Sequence, residues 1–322
     1  MPLLDLALQN LFSPMVLFFL LGMGLTVVRS DLAIPGAVAK LLVLYLMMSI
    51  GFRGGAEVAH HGISAKLLLS VLAGILLSFA TPFIAFALLR LFTSLDRVNA
   101  ASVAAHYGSI SAVTFVAGLS ALTQLGIPYE GFMVAVAAVM ETPAIISGLV
   151  LGRQKASKAG GREMLREIFL NGAVVMLLGS FVIGMITGQR GTTLLQPFLL
   201  QMFPGFLCLF LLDMGLVAGR GLRDGWRSLT PAVIGFALVM PLIGASLALG
   251  LGPLAGLSAG GTAVLVILAA SASYIAVPAA MQLALPEANP GIPLTLSLGV
   301  TFPFNLVVGI PLYVSIATRV VG

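Results

Sequence analysis

Charge is scarce in this chain: Asp, Glu, Lys and Arg together make up 8% of its 322 residues. A soluble domain carries about three times that share on its surface, so a soluble globular protein is excluded. Cysteine is nearly absent. The single Cys208 sits in an apolar stretch and can form no internal disulfide. The histidine pair His60-His61 has only Glu57 near it and no further ligand at metal spacing, which argues against a zinc centre. No Walker loop, dinucleotide fingerprint, nucleophile elbow or metalloprotease motif occurs. Without a nucleophile–base pair or a metal cluster, the chain is expected not to be an enzyme and to need no organic cofactor.

What the sequence has instead is apolar length. Hydrophobic residues make up 59%, and the mean hydropathy is +1.12. Phe, Leu, Val and Ile fill segments of roughly 20 residues, the length a helix needs to cross about 30 Å of hydrocarbon, rather than alternating over barrel strands of about 10. An all-α integral membrane protein follows. The net charge of +5 comes from basic residues lying between apolar segments, so it reports orientation in the membrane rather than nucleic-acid binding.

Taken in order, residues 6–28 form the first span, too long and too acidic at its start (Asp5) for a cleaved signal peptide. A second span begins before Lys40 and leads through residues 41–52 into GFRGG and the polar patch of Glu57, His60 and His61. Spans 3 to 5 are expected at 66–90, within 98–129 and at 131–152, the last with Glu141 inside it. A basic segment at 153–167 is the midpoint. Spans 6 to 10 follow at 168–189, 192–219, about 229–251, about 262–285 and 292–318.

Spans 4 and 9 are interrupted. Residues 104–122 read AAHYGSISAVTFVAGLSAL, and residues 269–285 read AASASYIAVPAAMQLAL, with the same order of Ala-Ala, Ser-x-Ser and apolar half-helix. Backbone groups freed at such a break are tolerated in lipid only where they face a cavity or a buried ligand. The break is expected to start at His106 and Tyr107. Two further matches occur in the same order: SIGFRGGAEVAHHGIS with DMGLVAGRGLRDGWRS, and the segment around Thr142-Pro143 with that around Phe302-Pro303. Because each half has an odd number of spans, the halves (1–152 and 168–322) are expected to be inverted repeats, ten helices with crossing, broken helices 4 and 9. With the N-terminus outside, twelve basic residues lie on inward connections and four on outward ones. That places both termini outside and the 153–167 loop in the cytoplasm.

The two breaks read as an anion site. A half-helix that restarts inside the membrane presents unpaired N–H groups and about half a positive charge. The candidates are Gly108, Ser109, Ile110 and Ser111 in one break and Ser271, Ala272, Ser273 and Tyr274 in the other. Small oxyanions fit. Glu141, followed by Pro143 in the same span, is the coupling candidate, because a carboxylate is retained at membrane depth when it binds a cation, relays a proton or is paired. Thr301 and Asn305 in span 10 could add neutral oxygens for a hard cation, and His106 could relay a proton. On these residues alone, a proton- or sodium-coupled carrier of some other small monoanion, such as an organic acid, stays open.

The chain resembles the SbtA-type sodium-dependent bicarbonate symporter family in IGFRGG at 50–55, GSIS at 108–111, METPAII at 140–146, AASAS at 269–273 and EANP at 287–290. The resemblance implies a core domain (spans 3–5 and 8–10) moving against a gate domain (spans 1, 2, 6 and 7), a homotrimer in a bacterial inner membrane, and bicarbonate import with sodium as coupling ion. Two features depart from the pattern. Members carry an acidic residue after the second serine run, where this chain has Tyr274. Their central cytoplasmic segment is also longer than 153–167, so binding of a PII-like regulatory protein does not carry over.

Overall fold

Local capping signals set where the helices of this protein begin. The computed structural model describes residues 12–62, 64–152, 172–225, 230–274 and 277–322, and the central basic segment 153–167 lies outside them. Helices α1 (Pro14–Val27), α3 (Ala65–Phe92) and α10 (Pro231–Leu254) start behind Ser13, Ser64 and Thr230, whose hydroxyls accept from Val16, Leu67 and Val233 N–H. The remaining elements are α2 (Gly36–His61), α4 (Arg97–Gly108), α5 (Ala112–Gln124), α6 (Met133–Val139), α7 (Glu141–Gly152), α8 (Gly172–Gln196), α9 (Phe203–Gly225), α11 (Ala259–Ala269), α12 (Val277–Ala284) and the long terminal helix α13 (Gly291–Val321). Seven candidate spans among the described residues are long and apolar enough to cross a membrane, counting α4–α5 and α6–α7 as one each; α1 and α11 are shorter apolar helices. Leu and Ile side chains stand exposed along α3 and α8, including Leu68, Leu72, Ile183 and Ile186, as a lipid-facing surface requires.

Glycines let helix pairs approach to backbone contact. A Cβ on Gly51 would collide with the Leu177 carbonyl, and one on Gly55 with the Phe181 carbonyl, so α2 lies directly along α8. Gly22 and Gly215 do the same for α1 and α9, facing the Leu212 and Phe19 carbonyls. Small residues at such crossings are how membrane helices gain packing contacts where the hydrophobic effect supplies no drive. The GFRGG stretch is therefore a packing face inside α2, which runs unbroken to His61, and not the end of a span.

One further boundary and the interior of the last span differ from the sequence reading. α8 is kinked at Gly188, whose φ of 54° is in the left-handed region open to glycine, and helix continues past it to a wide turn at Pro197–Gln201 before α9. α13 is also irregular, with wide π-type turns at Ser297–Thr301 and Asn305–Gly309. Pro303 cannot donate to the ladder between them, and such turns recur at functional positions.

The other helices form a second packed group. α3 packs on α4 and α7, α10 on α11, and α11 on α13. Gly108 at the end of α4 sits on the Pro82 ring of α3 and against Ala144, and Gly244 of α10 sits on the Ala269 carbonyl at the end of α11. Each broken helix thus rests on a neighbour through glycine.

Candidate functional site

The break in the first crossing helix is shorter than the sequence suggested. His106, Tyr107 and Gly108 remain in α4, and only Ser109, Ile110 and Ser111 leave the helix, with Ser109 (φ −90°, ψ 167°) and Ser111 (φ −97°, ψ 111°) extended. Tight packing of Gly108 on Pro82 explains the glycine without requiring a break there. In the second crossing helix α11 ends at Ala269, and residues 271–274 are non-helical. Both breaks are buried: Ser109, Ser111, Ser271 and Ser273 are each at most 2% exposed.

The two breaks are hydrogen-bonded to each other. Ser111 N–H donates to Ser271 Oγ at 2.8 Å, and Ser273 N–H donates to the His106 carbonyl at 2.7 Å. Ser271 Oγ in turn donates to Leu268 O at 2.7 Å, while Ser111 Oγ accepts from Thr114 N–H at 3.1 Å and caps α5. These bonds satisfy polar groups that would otherwise cost about 1–3 kcal/mol each inside a protein. Beyond the break, α5 and α11 meet where Gly118 makes room for Ile267.

Glu141, the first residue of α7 and 8% exposed, accepts from Ser109 Oγ at 2.9 Å. The carboxylate is placed there by a residue that sequence reasoning missed. Ser78 of α3 donates to the Met140 carbonyl and accepts from Ala144 N–H at 3.2 Å. It stands in the ladder position where Ala144 N–H would otherwise meet Met140 O, and a side chain inserted there interrupts a helix. Together with Pro143, which has no N–H to offer the Val139 carbonyl, this wedge accompanies the division of the span into α6 and α7 at Met140, next to Glu141. A lone serine in an apolar helix gives no sequence signal for this role.

Thr301 and Asn305 lie in the irregular part of α13. Thr301 Oγ1 donates to Ala237 O of α10 at 2.8 Å, so its 2.6 Å contact with Tyr107 is one it accepts from the phenol. Asn305 Nδ2 donates to Ala270 O at 2.7 Å, and its Oδ1 accepts from Tyr313 OH at 3.0 Å. Both residues therefore tie the broken helices to α13, and Glu141 is held separately by Ser109. Tyr274 lies near Ser111, and among the described residues its buried hydroxyl makes no hydrogen bond. Its ring packs edge-on at 5.8 Å to Phe302, which packs at 5.0 Å on Phe19 of α1.

Each broken helix is also fastened at its outer end by a loop from the other half. Glu130 accepts from Ser258 N–H (2.9 Å), Ser258 Oγ (3.0 Å) and Lys66 Nζ (3.2 Å) at the start of α11. Asn289 N–H donates to Asn99 Oδ1 at 2.7 Å in the first turn of α4. Asp96 caps that turn, and the Asn99 N–H it accepts holds its carboxyl below the usual range.

A sequence model of the Na+-dependent bicarbonate transporter superfamily matches residues 14–318 of the chain. No curated protein matches it.

Proposed function

The chain belongs to the Na+-dependent bicarbonate transporter superfamily, and from that premise we propose that it imports bicarbonate together with sodium by alternating access. The observation that carries the reading is the direct bond between the two breaks, Ser111 N–H to Ser271 Oγ at 2.8 Å, with Glu141 attached to the adjacent Ser109. One buried crossing thereby holds helix-start N–H groups suited to an anion and a carboxylate suited to a cation.

In this proposal bicarbonate is bound by Gly108, Ser109, Ile110 and Ser111 from one side and Ser271, Ala272, Ser273 and Tyr274 from the other, exchanging for hydrogen bonds that now run between the breaks. Sodium is held by Glu141; Thr301 and Asn305 supply neutral oxygens once released from their present partners, and the coupling part of His106 is that of a proton relay rather than a sodium ligand. A carboxylate at this depth costs at least a few kcal/mol, which a bound cation would offset.

The same proposal extends to architecture. Adding α1, α8 and the pair α11–α12 to the long apolar helices gives ten spans in two inverted repeats, 1–152 and 168–322. The paired contacts support the inversion, since α1 on α9 and α2 on α8 are exchanged by it, and so are the loop contacts made at Ser258 and Asn99. The glycine-packed α1, α2, α8 and α9 are the gate, and the remainder is the core. The assembly is a homotrimer in a bacterial inner membrane with both termini outside, and the short 153–167 segment gives no ground for carrying over a PII-like regulator. Uptake of labelled bicarbonate by the purified protein in liposomes, with and without a sodium gradient, tests the function.

A further inference from the structure

His106 carries a buried hydrogen-bond acceptor that nothing among the described residues uses. Its Nδ1 lies 2.7 Å from Ser102 O. A carbonyl only accepts, so the ring proton is on Nδ1, and Nε2 carries a lone pair. The residue is 1% exposed, and among the described residues Nε2 has no partner. An acceptor left unpaired in a protein interior costs about 1–3 kcal/mol, so the site is complementary to a donor.

The surroundings define that donor further. His106 lines a narrow pocket where α4 faces α12, with Ser102, Met281, Leu285 and Pro290 among its walls. The room inside suits about one oxygen-sized group. None of the residues lining it is charged, so it offers no partner to an ion as such. The His106 backbone also accepts from Ser273 N–H, which fixes the residue to the second break.

We propose that His106 Nε2 accepts the hydroxyl proton of bicarbonate in a hydrogen bond, and so selects an anion that carries an O–H over one of the same shape that lacks it. The inference rests on the reading of the chain as a bicarbonate transporter. Bicarbonate has two oxygens that share its charge and one hydroxyl. The charged oxygens suit the N–H groups of the breaks, whereas the hydroxyl needs an acceptor; of the buried side-chain atoms without a partner among the described residues, Nε2 carries a lone pair and no proton, while Ser49, Thr262, Tyr274 and Ser297 present hydroxyls that can donate to either anion. Nitrate is planar, monovalent and of similar size, but its third oxygen would face a lone pair.

The test uses purified protein in liposomes and labelled bicarbonate, with nitrate as competitor. Wild type should bind nitrate at least tenfold more weakly than bicarbonate. In His106→Leu the KM for bicarbonate should rise about tenfold, as expected for a lost hydrogen bond to a buried group, with the inhibition constant for nitrate unchanged or lower. His106→Gln, which places Oε1 near the position of Nε2, should recover most of the discrimination. If His106→Leu does not fold, His106→Phe keeps a ring without an acceptor and carries the same expectation. An unchanged bicarbonate KM, or equal weakening of both anions, overturns the assignment. Absence of bicarbonate uptake by wild type would instead overturn the reading beneath it.

Discussion

The backbone N–H of Ser111 donates to the hydroxyl of Ser271, 160 residues away in sequence, at 2.8 Å. Neither residue is more than 2% exposed, so the bond joins the two interrupted helices deep in the protein. Removing the hydroxyl in Ser271→Ala should cost about 1–3 kcal/mol, the penalty of an orphaned buried N–H, measured as lower thermal stability in detergent. Ser271→Leu and Ser109→Leu should fold and lose anion uptake, because the added side chain fills the space at the breaks. Normal uptake kinetics in both leucine variants would refute a clamp there.

Glu141→Gln keeps the shape of the side chain and an acceptor for Ser109, but removes the charge. At a few ångströms, a full charge on a cation is worth roughly 4 kcal/mol at an effective dielectric near 20, before desolvation is subtracted. The half-saturating sodium concentration should rise by at least tenfold, with a smaller effect on stability. A variant with the wild-type sodium response would remove Glu141 from the coupling site.

Ser78→Ala tests the wedge behind Glu141. Without the hydroxyl, Ala144 N–H and the Met140 carbonyl can pair directly, which leaves only the kink that Pro143 imposes and shifts Glu141. The expected result is near-normal stability, since the lost bonds are replaced, with a clear fall in the rate of uptake. Unaltered uptake would mean that the interruption of this span has no part in placing the carboxylate.

Glu130 caps the start of α11 and accepts from Lys66, which is 42% exposed at its side chain. A part-exposed ion pair contributes little, about 0–1 kcal/mol, whereas a hydrogen bond from Ser258 N–H to a charged acceptor contributes about 1.5–3. Lys66→Met should therefore destabilise less than Glu130→Ala, and thermal unfolding of the two variants and their double compares them. The reverse order would show that the ion pair, not the cap, holds the turn.

Tyr274→Asp places a carboxylate in the second break, near Ser111 of the first. If sodium binds at this crossing, the added charge should lower the half-saturating sodium concentration of an active variant. A value that does not fall would place the sodium ligands elsewhere.

Much of this arrangement is legible in the sequence, for physical reasons that differ from residue to residue. The breaks at Ser109–Ser111 and Ser271–Tyr274 show because serine runs in a membrane span need partners, and the burial of Glu141 shows because a carboxylate there is conspicuous. The sequence puts the start of the first break too early, at His106, because a glycine that makes room for Pro82 reads the same as one that ends a helix. GFRGG misled in the same way, as its glycines serve contact with α8. Ser78, Glu130 and Tyr313 act through partners 62, 128 and 8 residues away, and no local pattern announces such pairs. The wide turns of α13 are likewise invisible in a stretch of ordinary apolar residues around Pro303.

The most direct measurement is uptake of labelled bicarbonate into liposomes carrying the purified protein, with an inward sodium gradient and with sodium replaced by a large organic cation. The account predicts accumulation only with the gradient, reduced in Ser271→Leu and shifted to higher sodium in Glu141→Gln. Equal uptake with and without sodium, or none under either condition from folded protein, would contradict it.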